Sequence, residues 1–291
     1  MVKVCQEEFP ETDGFYMDGL LKNNLDILVD SIKDDFDFII LISGRGMVRV
    51  GKSQIGKQVS YYINSEVRKK YKVDNTFTTD NFAFRGKDLI EKGKVFPKFS
   101  VLDFDEAGAD LVGRKIMQQT TQAVLDYIRE CGQQNHFLIL ILPEFFDLPK
   151  GIALTRSVCL IDVDFRERFN RGLFRFYGRK AKKLLYLYGK KNLDYGAYKP
   201  DFFGTFTDFE PIDGKKYKEM KYAALTGRKL EEVNRINLRE LKANSHRNEV
   251  AYWAIDIKKG CQRDLARFCN VEEGAVDSWR EQYRRNNGIK P

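Results

Sequence analysis

The sequence predicts an α/β fold: a mostly parallel central sheet flanked by helices, followed by a small C-terminal helical domain. Three observations predict it. An apolar β-type run, Phe36 to Ile42, feeds a glycine-rich turn and then a helical pattern. A second such run, Phe99 to Phe104, ends in the acidic pair Asp105-Glu106. Helix-length stretches separate these from two further buried-type strands, Asn135 to Leu142 and Ser157 to Phe165.

A chain of 291 residues can bury a large core, as one large domain with an appendage or as two domains. Its net charge of +8 fits a polyanionic partner. The five cysteines (Cys5, Cys131, Cys159, Cys261, Cys269) form no C-x-x-C pair, and only His136 and His246 could join them. A structural zinc site is therefore not expected, and reduced thiols in a cytosolic protein are the simplest account. The first residues, MVKVCQEEFPETDG, lack the apolar core of a secretory signal, and no apolar run reaches ~18 residues. The expectation is a protein without a membrane span, in the cytoplasm of the cell or, for a virus, of its host.

In chain order, residues 1–14 read as an irregular arm. Leu20, Leu21, Leu25, Ile27, Leu28 and Ile32 then recur at helical spacing, so residues 1–34 form an arm and a helix. Residues 35–200 read as the core. After the first strand, Gly46 to Ser53 (GMVRVGKS) matches G-x-x-x-x-G-K-[ST] in full, in the strand–loop–helix setting the motif requires. Successive N–H groups of such a loop form an anion cradle, completed by the positive end of the following helix. Gly46, Gly51, Lys52, Ser53 and Gln54 are the candidate nucleotide contacts. Lys52 would neutralise the β- and γ-phosphates, and Ser53 would ligate Mg²⁺. This is the pattern of a nucleoside triphosphate site, with ATP as the expected ligand. Gln54 to Lys70 reads as the helix behind the loop, burying Val59, Tyr62, Ile63 and Val67.

Residues 71–98 are mixed, with a short strand at Thr76 to Thr79 and a helical turn at Asp88 to Lys92. In an open parallel sheet the carboxyl ends of strands face the ligand, where Asp105 and Glu106 would emerge. Asp105 would hold Mg²⁺ through water, and Glu106 would orient and deprotonate the attacking water. The same pair also suits a solvated strand end; its place about fifty residues after Lys52 favours the catalytic reading. Ala109 to Cys131 reads as a helix. Glu144 follows the next strand, as a polar sensor or as a loop cap.

Arg171 to Tyr177 and Leu184 to Tyr188 read as a hairpin across a basic turn. From Arg166 to Lys199 there are eleven Lys/Arg against Glu167 and Asp194, interleaved with tyrosines and phenylalanines. Arg175, Arg179, Lys180, Lys182 and Lys183 are candidate DNA contacts. A solvated hairpin with its aromatics on the core is the alternative. Residues 201–245 form an extension or linker. In residues 246–291, Ala266, Asn270, Val271, Val276 and Trp279 resemble a helix-turn-helix. Glu272 and Glu273 stand where a recognition helix would meet phosphates, so a protein-docking module is the rival to DNA binding there.

Taken together, GRGMVRVGKS, VLDFDEAG and NHFLILILP resemble P-loop ATPases with a catalytic glutamate and an extra strand between the two motifs. Within that class the chain is similar to the FtsK–HerA motor ATPases, and specifically to the zonular occludens toxin (Zot)-like ATPases of viruses and mobile elements. The resemblance runs from about Asp35 to Lys191, and also rests on Leu142-Pro143, Arg156 and the basic pair after SVCLIDVD. It implies a homo-oligomeric ring, hydrolysis between neighbours, and movement or packaging of DNA or extrusion of phage. Such rings carry an arginine finger, for which Arg114, Arg129 and Arg156 are the candidates. Toxin-like members usually carry a membrane helix; without one here, a cytosolic DNA motor is favoured. An AAA+-type switch or helicase loader and a small-molecule phosphotransferase are the rivals.

Overall fold

The computed structural model describes residues 1–111, 119–166 and 169–289, with only the backbone at 109, 110, 119–121, 130, 131 and 228–239. Two compact units divide the chain, Met1–Ala224 and Leu225–Pro291.

The first unit opens with β1 (Val2–Val4) and β2 (Phe15–Met17), an antiparallel pair where an irregular arm was expected. Val4, Phe15 and Met17 are buried, so the arm is anchored through its apolar side chains. Asp18 caps α1 (Gly19–Ser31) by accepting the N–H groups of Leu20 and Leu21, and Leu21, Leu25 and Val29 form its buried stripe. Next come β3 (Phe38–Ser43), α2 (Lys52–Tyr71), β4 (Phe82–Ala83), α3 (Gly86–Val95) and β5 (Val101–Phe104). The expected strand at Thr76 to Thr79 does not form; pairing begins at Phe82.

Of the helix expected over 109–131, α4 (Gly108–Leu111) and α5 (Gln119–Glu130) are described; residues 112–118 lie outside the described residues. Beyond it lie β6 (Phe137–Ile141), β7 (Cys159–Asp164) and β8 (Leu173–Tyr177). The expected basic hairpin is not there. Its second arm is a helix, α6 (Arg179–Gly189). Ala181, Leu185, Tyr186 and Gly189 are buried at helical spacing, and this 3.6-residue stripe overrides the local alternation of aromatics. The partner of β8 is instead β9 (Phe202–Thr205), from the segment read as linker.

The seven strands run in the order β4-β5-β6-β3-β7-β8-β9. From β4 to β7 every pairing is parallel; β7–β8 and β8–β9 are antiparallel. Strand β6 thus lies between β3 and β5, in register Ile40↔Ile139 with β3 and Val101↔Phe137 with β5. Both faces are covered, as a parallel sheet demands. Ile40 and Ile42 point to the core shared with α1 and α2, Ile39 and Leu41 to the core shared with α3, α5 and α6. This mixed α/β arrangement is compatible with a P-loop NTPase.

Helix α7 (Gly214–Tyr252) begins in the first unit. In the second unit, α8 (Gln262–Cys269) and α9 (Glu273–Asn286) are joined through Asn270, whose φ of 54° ends α8. A small core of Ala251, Ala266 and Val276 holds them, with Trp279 against it. Arg280 and Arg284 are tied to Asp256 there, at 3.7 and 2.5 Å. Among the described residues no helix is long and apolar enough to cross a membrane.

Candidate nucleotide site

Where β3 ends, the chain folds into a loop that closes at the first turn of α2. Gly46 (φ 71°) and Gly51 (φ 105°) take left-handed backbone angles that favour glycine. A Cβ on Gly51 would also lie 2.8 Å from the Phe206 ring. The Gly46 N–H donates to Pro143 O at 2.8 Å, fixing the loop to the end of β6. Lys52, the first residue of α2, folds back and donates to Met47 O at 2.6 Å. Burial pulls the Lys52 ammonium below its ordinary pKa, against the pull of Glu106 and Asp105.

Strand β5 delivers the acidic pair to the same place. Ser53 Oγ donates to Asp105 Oδ2 at 3.0 Å, although 52 residues separate them. Asp105 Oδ1 accepts the Glu106 N–H at 2.9 Å. Asp105 is buried, whereas the Glu106 side chain is 38% exposed and joins Asp105 in lining a cavity of about 500 Å³. Gly51, Lys52 and Ser53 line that cavity too. Gln54 also lines it, but its side-chain amide is committed to Phe209 O. Gly46 shapes the loop and is not part of the lining described.

A serine hydroxyl and one carboxylate oxygen 3.0 Å apart leave most positions of a metal ion open. That set suits Mg²⁺, which keeps waters and takes phosphate oxygens rather than a full protein cage. Among the described residues no cluster of three or more His, Cys, Asp or Glu could hold a metal alone. The donor set fits a metal that arrives with a nucleotide.

Three neighbours of the site were not singled out by the sequence. Tyr217 OH and Lys221 Nζ, both from α7, donate to Asp105 Oδ2, the lysine at 2.9 Å. Lys221 also pairs with Glu106 Oε1 at 2.9 Å. Burial opposes the charge on Lys221, yet Asp105 and Glu106 outweigh it and its pKa is raised. Burial, then the Asp105 charge, pushes the Tyr217 phenol far up, so it remains a donor. Asp103, two residues before Asp105 on the same face of β5, is fully buried without a partner in hydrogen-bonding geometry. Burial lifts its carboxyl well above the usual range, with Ser60 easing the effect. The alternation of carboxylates, Asp103 and Asp105, was its only trace in the sequence.

Glu144 lies at the loop. Its Oε1 accepts from Tyr195 OH at 2.5 Å and from the Phe146 N–H at 3.2 Å, and Tyr195 OH lies 3.5 Å from Ser43 Oγ. Arg45 anchors the other side, pairing with Asp162 at 2.8 Å and Asp164 at 3.3 Å. Burial lifts Asp162 to about 6 in spite of Arg45.

The basic residues assigned to DNA separate into two groups. Arg175 pairs with Asp164 at 2.6 Å, and Lys182 is buried, donating to Ala153 O, Ser157 O and Ser157 Oγ at 2.6–2.8 Å. Neither is a surface cation. Arg179, Lys180 and Lys183 are exposed on the first turns of α6. Of the finger candidates, Arg156 is bound within the chain to Asp37 and Ile128 O. Arg129 is exposed and pairs with Asp126 one turn away at 2.9 Å, and Arg114 lies outside the described residues.

No protein-family model matches the chain, and no curated protein does. Among solved structures it is similar to the genome packaging NTPase B204 from Sulfolobus turreted icosahedral virus 2. With the ATP-γS complex of that protein it shares 18% identity at a TM-score of 0.31, over 50% of this chain and 94% of the other. With the AMPPCP complex the values are 15% and 0.31, over 51% and 95%. With the sulfate complex they are 14% and 0.33, over 61% and 99%. A likeness this distant assigns no residue a role.

Proposed function

We propose that this protein is a P-loop ATPase that couples hydrolysis to moving or packaging DNA. The observation that carries the ATPase reading is the meeting of Ser53 and Asp105 at 3.0 Å, on the cavity that Lys52 and Glu106 also line. The loop N–H groups and Lys52 would hold the phosphates, and Ser53, with Asp105 through water, would hold Mg²⁺. Bound there, the ion would neutralise charge developing on the phosphate oxygens. Glu106, more exposed than Asp105 and turned to the same cavity, takes the proton of the attacking water. A water-activating base argues for hydrolysis rather than transfer to a small molecule.

DNA as the object of the work is supported by the charge of +8 and by Arg179, Lys180 and Lys183 on the surface of α6. The order of motifs and its resemblance to motor ATPases points the same way. The test is ATP turnover with and without duplex DNA, with Lys52→Ala as control. Turnover that rises with DNA and vanishes in K52A is the expected result. Turnover indifferent to DNA would remove the motor reading, and wild-type turnover in K52A would remove the site.

A further inference from the structure

We propose that Lys221 is a tethered cation that holds the metal position of this site until a divalent ion displaces it. The proposal rests on the nucleotide reading above and adds to it a residue that sets the metal affinity.

Asp105 Oδ2 receives three donors from two helices: Ser53 Oγ at 3.0 Å, Lys221 Nζ at 2.9 Å, and Tyr217 OH. A carboxylate oxygen so surrounded has no lone pair left for a metal or for a water that the metal carries; one donor must leave. Ser53 is needed as a co-ligand. Tyr217 cannot swing away, because its ring is 4% exposed and wedged edge-on against Phe82 and Phe84, centroids 5.1 and 5.5 Å off. Lys57 Nζ also lies over the ring, 4.7 Å from its centroid. Lys221 is the donor that can go. Its side chain is 23% exposed, it lines the open cavity, and its four-carbon stem carries a compact charge through a wide arc.

Position matters as much as mobility. The ammonium bridges Asp105 and Glu106 at 2.9 Å each, so it neutralises both carboxylates at once. A divalent ion seated by Asp105 competes with it directly, since two cations on one carboxylate oxygen repel. Released, Lys221 stays on the cavity wall and faces the bound phosphates, and Glu106 is freed from its ion pair. Metal loading and exposure of the base then become one event.

The experiment measures binding of the non-hydrolysable β,γ-methylene analogue of ATP to the full chain, in EDTA and across a Mg²⁺ titration. Wild type is compared with Lys221→Gln and with Lys221→Arg, which retains the charge. K221Q is expected to reach half-saturation at about fivefold less Mg²⁺, on the scale of a partly screened ion pair. In EDTA it is expected to bind the analogue less tightly than wild type, having lost a cation near the phosphates. K221R should follow wild type in both. Opposite shifts in the two conditions are the signature, because simple structural damage weakens both. Weakening in both, or no change in the Mg²⁺ requirement, would overturn the proposal. Lys221→Met, which keeps the stem, gives the same two readings if K221Q melts early. Failure of wild type to bind the analogue in either condition would instead remove the nucleotide reading, and this proposal with it.

Discussion

Glu106 takes a left-handed backbone angle, φ 64°, directly after the buried Asp105. Such a conformation costs a non-glycine residue on the order of 1 kcal/mol or more and persists only where its surroundings impose it. Here the Glu106 N–H is held by Asp105 Oδ1 and the next N–H, of Ala107, by Ile141 O at 3.1 Å. The chain turns here, just past the end of β5 at Phe104, so the two neighbouring carboxylates occupy different environments, one buried and one open to the cavity. That division suits a metal ligand followed by a base. Glu106→Gln is expected to bind ATP with Mg²⁺ and to hydrolyse it at least ~10²-fold more slowly, as loss of general-base help implies. Single-turnover kinetics checks this, and normal turnover would move the base elsewhere. The meeting of Lys52-Ser53 with Asp105-Glu106 was foreseeable because each pair is contiguous and sits in a motif of the expected order and spacing. Tyr217 and Lys221 were not. They reach the site from a charged helix more than a hundred residues downstream, where nothing in their spacing distinguishes them from a solvated face.

Helix α6 shows how packing can override a local alternation of residue types. Strand β8 alternates, with Phe174 and Phe176 inward and Arg175 between them, and Tyr186 and Tyr188 beyond it repeat that two-residue spacing in the sequence. What decides the matter is tertiary. Ala181, Leu185 and Tyr186 join the core beside Phe145 and Phe146, and Tyr186 OH donates to Leu148 O at 2.6 Å. Lys182 follows the same face inward, its ammonium satisfying three acceptors around Ala153 and Ser157. Lys182→Met should therefore cost about 1–3 kcal/mol, the range for buried acceptors left unpaired, in chemical denaturation. Its DNA affinity should not change. Burial pulls the Lys182 ammonium down to about 8 from an unfolded value of 10.5. Between these limits the unfolded chain binds the extra proton, so this group's contribution to stability rises with pH. Below about 8 both states are charged and the contribution is flat. The stability gap between wild type and K182M should thus widen from pH 8 to pH 10. A gap that narrows over this range would deny that burial lowers the Lys182 pKa. Replacing Arg179, Lys180 and Lys183 together by alanine tests the opposite face. Affinity for every DNA sequence should fall, and the log–log salt slope should shrink by up to ~3, one unit per lost phosphate contact. An unchanged slope would return α6 to an ordinary solvated surface.

At the scale of the whole molecule, the central strands were legible because β3, β5, β6 and β7 are short, largely apolar runs that end up buried; that one strand lies between those of the two motifs was expected only from the resemblance. The flanking β8–β9 ladder was not, since β9 is a four-residue edge strand from a segment with no periodicity of its own. The placement of the finger candidates bears on assembly. Lys52 and Lys221 line the cavity from within, while Arg156, a candidate for the transition-state cation, is bound to Asp37 and Ile128 O. If hydrolysis runs between neighbours in a ring, the finger comes from a second copy. Arg129 is the described candidate best placed to provide it: its side chain is 63% exposed, and its pair with Asp126, one turn away, is of the kind that contributes little. Arg129→Ala should then bind the ATP analogue as wild type does and lose roughly 10³-fold or more in turnover, the scale of an arginine finger. Turnover per chain in wild type should rise with protein concentration as the ring forms, over the range where sedimentation shows assembly. Mixing R129A with Glu106→Gln separates a shared site from a private one. The two dead variants restore partial activity only if Arg129 of one copy can serve the intact Glu106 site of another. Turnover per chain that is constant with concentration, together with no rescue in the mixture, would make the protein an ATPase that works alone.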